Sequence, residues 1–229
     1  TMSFTAEAQI VRELGKFLMD GSLYQGFKPV FWSTVEKTAL ADAEVEYEEH
    51  TSNTIFTAFK VKKTPKDFLK DSNIIIWTTT PWTIPANRAL AFNSGIEYSL
   101  VEINDLENFE EKKIIVATNL LDSVVKSCGI NKFETLKTFN GGELEGTICT
   151  HPFQSLGFDF DVPMLDARFV TLEQGTGIVH CAPSHGPDDF NLCLKHNIPS
   201  KYTVDNSGYY TDEIPFFSKT HVFKADPIV

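Results

Sequence analysis

The chain has 229 residues, of which 42% are hydrophobic and 12% aromatic, and its formal net charge is −11 at pH 7. A chain of this length buries one substantial core, so we expect a single domain. The acidic charge excludes a broad basic face that binds nucleic acid by neutralising phosphates. Any contact with nucleic acid must therefore be local, as in the recognition of a terminus.

The cysteines and the apolar runs indicate the cellular compartment in which the protein functions. The sequence contains no Cys-x-x-Cys pair among Cys128, Cys149, Cys181 and Cys193, which argues against a zinc ribbon or a disulfide framework and favours a reducing compartment. The longest apolar runs are far shorter than the roughly 20 residues that cross a bilayer, and no secretory pattern opens the chain. We expect a soluble, cytoplasmic protein that does not contact membranes.

The first predicted element is an amphipathic helix from Thr5 to Asp20, with Thr5 as its N-cap and Gly21 as its stop. Strands are predicted next, because the following segments are rich in β-branched and aromatic residues. They span Glu44 to His50, Thr54 to Lys62, Asn73 to Thr78, Ala89 to Asn93, Glu97 to Ile103 and Lys113 to Ala117.

Two more helices and further short strands complete the predicted elements. A helix is predicted from Thr118 to Cys128, with Gly129 in the left-handed conformation after it. Short strands fill the region from 133 to 180, and Pro187 opens a helix that runs through His196. The pattern predicts a β-dominated α/β mixture, with an antiparallel β-barrel core decorated by a few α-helices, because closure removes exposed strand edges.

The first segment that carries chemistry is the run TTTPWTIPAN. Thr78, Thr79 and Thr80 end a predicted strand directly before Pro81, which cannot continue the ladder. Each hydroxyl both donates and accepts hydrogen bonds, so this rim could hold a ribose hydroxyl, an ester carbonyl or an attacking water. The structural alternative is that the threonines are ordinary strand residues and that the prolines only shape a loop.

The second segment is the run GTGIVHCAPSHGPDDF. His180 ends a short predicted strand, and a Gly-Pro turn delivers Asp188 and Asp189 into the first turn of a helix. Each of these residues alone has a structural interpretation, since the helix dipole favours acids at that position. Together, however, the histidine and a carboxylate can line one pocket, and a buried unpaired carboxylate is a natural partner for an ammonium group.

These two runs resemble the hallmark stretches of the editing domain that is inserted into isoleucyl-tRNA synthetases of the bacterial type. The resemblance covers nearly the whole chain and implies a single editing domain over 1–229, with about 1–45 and 215–229 leading to and from the synthetic domain. The sequence contains neither a His-Ile-Gly-His element nor a Lys-Met-Ser-Lys-Ser loop. The resemblance therefore implies that ATP and magnesium serve only the absent synthetic domain.

The implied reaction is hydrolysis of the aminoacyl ester of mischarged valyl-tRNA(Ile). The implied partners are the 3′ end of that tRNA and the rest of the parent synthetase in cis, and the isolated domain is expected to be a monomer without a cofactor or a metal. A pocket that fits isoleucine rejects valine only weakly, a limit for which this pair is itself the standard example, and a second pocket that excludes by size is the remedy.

The resemblance also implies roles for individual residues. Asp189 would hold the α-ammonium group, and His180 would narrow the side-chain pocket so that valine enters and isoleucine does not. The expected catalytic residues are Thr78, Thr79, Thr80, Asn87, His180 and Asp189, and the expected substrate-binding residues are Trp82, Thr83, Thr176, Gly177, His185 and Asp188. For Trp82, His185 and Asp188, plain structural roles remain the alternative.

Two other functions remain open at the level of sequence. One is a metal-dependent hydrolase that uses His180, His185 and either Asp188 or Asp189 as ligands. The other is a non-catalytic RNA-binding module whose aromatic residues stack on bases. The sequence offers no Ser-His-Asp or Cys-His set, so we expect water to attack the ester directly.

Overall fold

The computed structural model describes residues 2–105, 110 and 112–229. The helices are α1 (Phe4–Met19), α2 (Leu121–Ser127) and α3 (Pro187–Lys195). The strands are β1 (Trp32–Ser33), β2 (Thr38–Ala39), β3 (Ile55–Lys63), β4 (Asn73–Thr78), β5 (Ala89–Phe92), β6 (Glu97–Ile103), β7 (Lys113–Ala117), β8 (Phe133–Asn140), β9 (Ile148–Thr150), β10 (Asp161–Asp166) and β11 (Val179–Cys181).

One large sheet dominates the described part of the chain. Its nine strands follow the order β11-β5-β10-β9-β3-β4-β7-β6-β8. Most neighbours are antiparallel, but β10 pairs with β5 and β4 pairs with β7 in parallel. The β-dominated α/β class is confirmed. The predicted antiparallel barrel is wrong, because the sheet is mixed and open, with β11 and β8 at its edges.

The sheet protects its edges without closing into a barrel. β11 has only three residues, and β8 carries Glu134 and Lys137 on an almost fully exposed strand. Short edges and charged edges both resist pairing with another chain. The sheet is nevertheless curled, since the Ala117 N–H at the end of β7 donates to the Thr176 carbonyl, at 2.8 Å, just before β11.

The core occupies both faces of the sheet. Ile74, Ile75 and Ile76 of β4 are all buried, because β4 lies near the middle of the sheet and is covered on both sides, as an uninterrupted apolar run indicates. Burial of one such side chain contributes about 1.5–3 kcal/mol. A smaller cluster packs Ala89 of β5 against Cys193 of α3. This packing fixes α3, and with it the loop that precedes α3, against the sheet.

A third cluster forms below the C-terminal loops. It contains Phe158, Tyr210, Ile214 and Phe217 among its buried members. The Tyr210 hydroxyl donates a hydrogen bond to the Trp82 carbonyl. The C-terminal loops are thereby tied to the segment that follows β4.

The N-terminal segment differs from the prediction in two respects. The N-cap of α1 is Ser3, whose Oγ accepts from the Ala6 N–H at 3.3 Å, so the assignment of Thr5 was wrong. Gly21 follows the end of the helix, as predicted, and has a φ of 83°. The predicted strand from Glu44 to His50 is also wrong, because this part of the chain is irregular after residue 44. Its consecutive acids are unfavourable in a strand.

Most other elements agree with the prediction. β4, β6 and β7 have the predicted bounds, β3 is shifted by one residue at both ends, and β5 is one residue shorter at its C-terminal end. The helix predicted from Thr118 begins as a 3₁₀ turn before α2, and Gly129 after it has a φ of 70°. α3 begins at Pro187, as predicted. None of the described helices combines the length and apolar character needed to cross a bilayer.

Candidate functional site

The threonine run lies where β4 ends and a 3₁₀ turn begins. β4 ends at Thr78, and the turn spans Pro81–Ala86. Thr78 is buried, whereas Thr79 and Thr80 are exposed. The Thr78 Oγ1 accepts from the Thr80 N–H at 3.1 Å and lies 3.3 Å from the Thr80 Oγ1. The end of the strand therefore presents hydroxyl-bearing side chains at the surface.

The 3₁₀ turn meets His180 through two side chains. The Asn87 Nδ2 donates to the Ala89 carbonyl at 2.9 Å and lies 3.3 Å from the His180 Nδ1. The carbonyl can only accept, so it fixes the orientation of the Asn87 amide, and the His180 Nδ1 must accept the second amide hydrogen. The His180 Nε2 then carries the ring proton and donates to the Thr83 Oγ1, at 2.9 Å.

The same network fixes the hydroxyl of Thr83. The Thr83 Oγ1 donates to the Thr80 carbonyl at 2.9 Å, so its proton points away from the imidazole. Burial, with smaller contributions from His185 and His151, lowers the pKa of His180 to about 3. At neutral pH His180 is therefore uncharged, and both of its ring nitrogens are engaged. It forms a rigid, neutral surface.

Asp189 lies in the first turn of α3. Its Oδ2 accepts from the Ala182 N–H at 2.9 Å. Burial raises the pKa of Asp189 to about 6, against the opposing effect of this hydrogen bond. No Lys, Arg or His of the described chain forms an ion pair with it. Asp189 is thus a partly desolvated carboxylate without a cationic partner.

Trp82 and His185 contact each other beside this network. Their rings meet edge to face, with centroids 4.8 Å apart. The Thr203 Oγ1 lies 3.0 Å from the His185 Nε2, and burial lowers the pKa of His185 to about 4. His185 is therefore neutral and is hydrogen-bonded to Thr203, which follows α3 in the chain.

Thr176 and Gly177 lie just before β11, where this segment contacts the end of β7. The Thr176 Oγ1 donates to the Ile178 carbonyl at 3.1 Å, and the Tyr98 hydroxyl donates to the Gly177 carbonyl at 2.8 Å. Gly177 has a φ of 74°, and a Cβ there would lie 2.4 Å from the Ala117 Cβ. The contacts of both residues hold the segment before β11 against β7.

The structure brings together only part of the predicted set. Thr83, Asn87 and His180 are in direct contact, and Thr80 joins them through Thr83. Asp189 in α3 is separated from His180 in β11 by a short loop. Among the described residues it makes no hydrogen bond to His180 or to the threonines. Asp188 is exposed at the start of α3, where the helix dipole favours an acid.

A metal centre receives no support from the described residues. They contain no group of three or more His, Cys, Asp or Glu side chains that could hold a metal ion. Both ring nitrogens of His180 are hydrogen-bonded to Thr83 and Asn87. The ligand set that the sequence suggested for a metal-dependent hydrolase is therefore not assembled.

Sequence reasoning missed Arg88, Thr203 and Tyr210. Arg88 directly follows Asn87, and its guanidinium lies 4.4 Å from the centroid of the Phe160 ring. Its position next to the motif was the only signal in the sequence. Thr203 and Tyr210 contact His185 and Trp82 respectively from far along the chain, and no local pattern could have indicated them.

Comparison with known proteins identifies the family. The family model described as tRNA synthetases class I (I, L, M and V) matches residues 1–220. Isoleucine–tRNA ligase from Pelagibacter ubique is 65% identical over 100% of this chain, and that from Gluconobacter oxydans is 48% identical, also over 100%. The chain spans only about a quarter of these relatives, 25% and 24% of their lengths.

Solved structures are more distant. The cytosolic leucyl-tRNA synthetase editing domain of P. falciparum is 18% identical, with a TM-score of 0.43, over 57% of this chain and 50% of that chain. The P. knowlesi counterpart is 17% identical, with a TM-score of 0.46, over 63% and 62%. These values are too low to carry a conclusion. The family model, in contrast, spans nearly the whole sequence, and the chain belongs to the class I tRNA synthetases (I, L, M and V).

Proposed function

We propose that the chain is the editing domain of an isoleucine–tRNA ligase and that it hydrolyses the aminoacyl ester of valyl-tRNA(Ile). The two motif runs resemble that domain, and the relatives described above are isoleucine–tRNA ligases matched over a quarter of their length. In this proposal 1–229 is one editing domain, with about 1–45 and 215–229 leading to and from the remainder of the synthetase.

The observation that carries the proposal is the unpaired carboxylate of Asp189. Its pKa is raised to about 6 by burial, so the ionised form is destabilised until a cation arrives. The α-ammonium group of an aminoacyl ester supplies such a cation. A charge-assisted hydrogen bond between the two is stronger than a neutral one. Asp189 would therefore orient the amino acid at its amino end.

His180 would form the wall that selects the side chain. Its imidazole is held on both sides, by Asn87 at 3.3 Å and by Thr83 at 2.9 Å, so it cannot rotate without breaking hydrogen bonds. Forcing an extra methylene into a rigid site costs typically about 1–3 kcal/mol. A fixed imidazole would thus exclude isoleucine and admit valine.

The proposed chemistry is direct attack by water on the ester carbonyl. His180 does not act as the base, because its Nδ1 lone pair is engaged by Asn87 and its Nε2 carries the proton that Thr83 accepts. The exposed Thr79 and Thr80 would position the water and the ester, and a ribose hydroxyl of the substrate would assist. Positioning and neutral donors then supply the rate enhancement.

The direct test is deacylation of matched substrates. The chain is incubated with valyl-tRNA(Ile) and with isoleucyl-tRNA(Ile), and the remaining ester is followed over time. We expect the valyl ester to disappear much faster. Persistence of the valyl ester at the uncatalysed rate would refute the proposal, and a trapped acyl-enzyme would refute direct attack by water.

Two variants test the assigned roles. Asp189→Ala should abolish deacylation, whereas Asp122→Ala, which removes an exposed first-turn acid from α2, should not change it. His180→Ala should extend hydrolysis to isoleucyl-tRNA(Ile). Normal turnover in Asp189→Ala, or unchanged discrimination in His180→Ala, would contradict the respective assignment.

A further inference from the structure

A cleft with a volume of about 100 Å³ adjoins the candidate site. Its lining includes Pro85 and Ala86 from the 3₁₀ turn that carries Thr83. It also includes Ser184, from the loop between His180 and Asp189. The cleft therefore shares two chain segments with the site, although the proposed hydrolysis does not use these residues. Residues from 157–160 and 201–215 complete its lining.

Arg88 is the unusual residue of this cleft. Its guanidinium stacks on the Phe160 ring at 4.4 Å, and its Nε is buried without a hydrogen-bond partner. The side chain forms no ion pair within the described residues, and burial lowers the pKa of the guanidinium. A partly desolvated cation without an ion-pair partner is a costly arrangement unless an anion neutralises its charge.

Two buried polar atoms without a partner belong to neighbouring residues at the edge of the site. Three buried side-chain atoms of the described chain lack a partner, and two of them, the Asn87 Oδ1 and the Arg88 Nε, belong to consecutive residues. The backbone of Arg88 is fixed, because its N–H donates to the Cys181 carbonyl at 2.9 Å. Unmet polar groups on a rigid backbone beside a cleft indicate a binding site rather than a disordered surface.

The other polar residues of the cleft suit an anion. Lys201 and Glu213 both line the cleft and form an ion pair at 3.1 Å, with both side chains about half exposed. An exposed pair of this kind contributes only about 0–1 kcal/mol, so an incoming anion can compete with Glu213 for the ammonium group. Ser184 and Thr203 add hydroxyls to the lining.

We propose that this cleft binds a phosphodiester of the tRNA 3′ tail, next to the terminal nucleoside that carries the ester. The inference rests on the proposed function and adds the subsite that would hold the RNA. The forked guanidinium of Arg88 matches phosphate geometry. A net charge of −11 opposes a polyanion overall, so a local cation is needed where the RNA enters. The cleft is linked to the site through Thr203, His185 and Trp82.

Two ligands distinguish the source of the phosphate. Binding of inorganic phosphate is measured by NMR titration of backbone amides. Binding of an RNA minihelix that ends in the tRNA(Ile) acceptor sequence and carries no amino acid is measured by fluorescence anisotropy. Arg88→Gln should weaken both, the minihelix by about 10- to 100-fold. The plot of log affinity against log salt concentration should become shallower by about 0.7, the value for one phosphate contact on a single strand.

Lys137→Gln is the matched control. Its ammonium group also lies over a phenylalanine ring, 3.7 Å from the centroid of Phe68, but on β8 at the far edge of the sheet. We expect it to leave both affinities unchanged. Equal effects of Arg88→Gln and Lys137→Gln would overturn the inference.

Glu213→Gln gives a result that misfolding cannot imitate. Removing the carboxylate that competes for Lys201 should tighten minihelix binding by about two- to fivefold. Weaker binding or no change in this variant would count against the cleft. If Arg88→Gln weakens only inorganic phosphate, the assignment to RNA is overturned. If it weakens the minihelix but the chain hydrolyses no ester, the cleft assignment stands and the proposed hydrolysis fails.

Discussion

Asp189→Asn separates the stability of the fold from the proposed activity. Asparagine has nearly the same shape as aspartate, and its amide oxygen can still accept the Ala182 N–H that Asp189 now bonds at 2.9 Å. The substitution therefore removes the negative charge and keeps this hydrogen bond. Because that charge is partly buried without a cation, we expect the variant to be more stable and less active than the original chain.

The size of the stabilisation follows from the pKa. Burial raises the pKa of Asp189 from 3.8 to about 6, and each unit corresponds to 1.36 kcal/mol, which gives an upper limit of about 3 kcal/mol. Since Asp189 is partly exposed, solvent screening reduces this to about 1–2 kcal/mol. The folded protein holds the proton of Asp189 more tightly than the unfolded chain does. The buried charge therefore does not lower the free energy of unfolding below pH 3.8. Its destabilising effect grows as the pH rises to about 6 and is constant at higher pH.

The assay is thermal unfolding at two pH values together with deacylation. For a chain of this length, 1 kcal/mol corresponds to about 2–4 °C in Tm. We expect a higher Tm for Asp189→Asn at about pH 7.5, a much smaller difference at about pH 4.5, and a loss of about 10- to 100-fold in kcat/KM for the valyl ester. A lower Tm at the higher pH, or the same shift at both, would refute the reasoning. Asp122→Asn is the exposed control.

Three further predictions concern the network, the curled sheet and metals. Asn87→Ala should free the His180 Nδ1 and raise the pKa of His180 in an NMR titration, because the ring loses the donor that now occupies its lone pair. Gly177→Ala should destabilise the chain by at least about 2 kcal/mol in urea unfolding, since its Cβ would meet Ala117. Gly129→Ala, which shares the positive φ but has open space around it, should cost less. Exhaustive chelation should leave deacylation unchanged, and a loss that zinc restores would revive the metal-dependent alternative.

The sequence predicted elements better than their arrangement. β4, β6 and β7 were located to the residue because their apolar and β-branched runs are local signals. The parallel pairing of β4 with β7 is not local, since β5 and β6 intervene in the chain. The acids of the segment from 44 to 50 argue against a strand, but whether a segment finds a neighbouring strand is not written in its own residues. Pairing and closure depend on distant partners, and one-dimensional patterns do not contain them.

The candidate site was predicted in the same uneven way. The two motif runs contain Thr83, Asn87 and His180, which the structure joins by hydrogen bonds. The tautomer of His180 was beyond the sequence, because it depends on which atoms of Asn87 and Thr83 face the ring. Arg88 was overlooked because arginine is ordinarily a surface residue. Only its burial and its missing partners distinguish it.

The charges around the site suggest one reason why Asp189 and Arg88 both lack an ion-pair partner. His180 is neutral and locked, whereas Asp189 and Arg88 each carry a partly buried charge that no described residue neutralises. Pairing them with each other would have stabilised the free protein. An aminoacylated 3′ nucleotide carries an ammonium group on one side of its ester and a phosphate on the other. A substrate of that form would satisfy both charges at once and place the ester between them, beside uncharged hydroxyls. A single ligand would thus supply the missing partner of each residue. A ligand with only one of the two charges should bind with lower affinity.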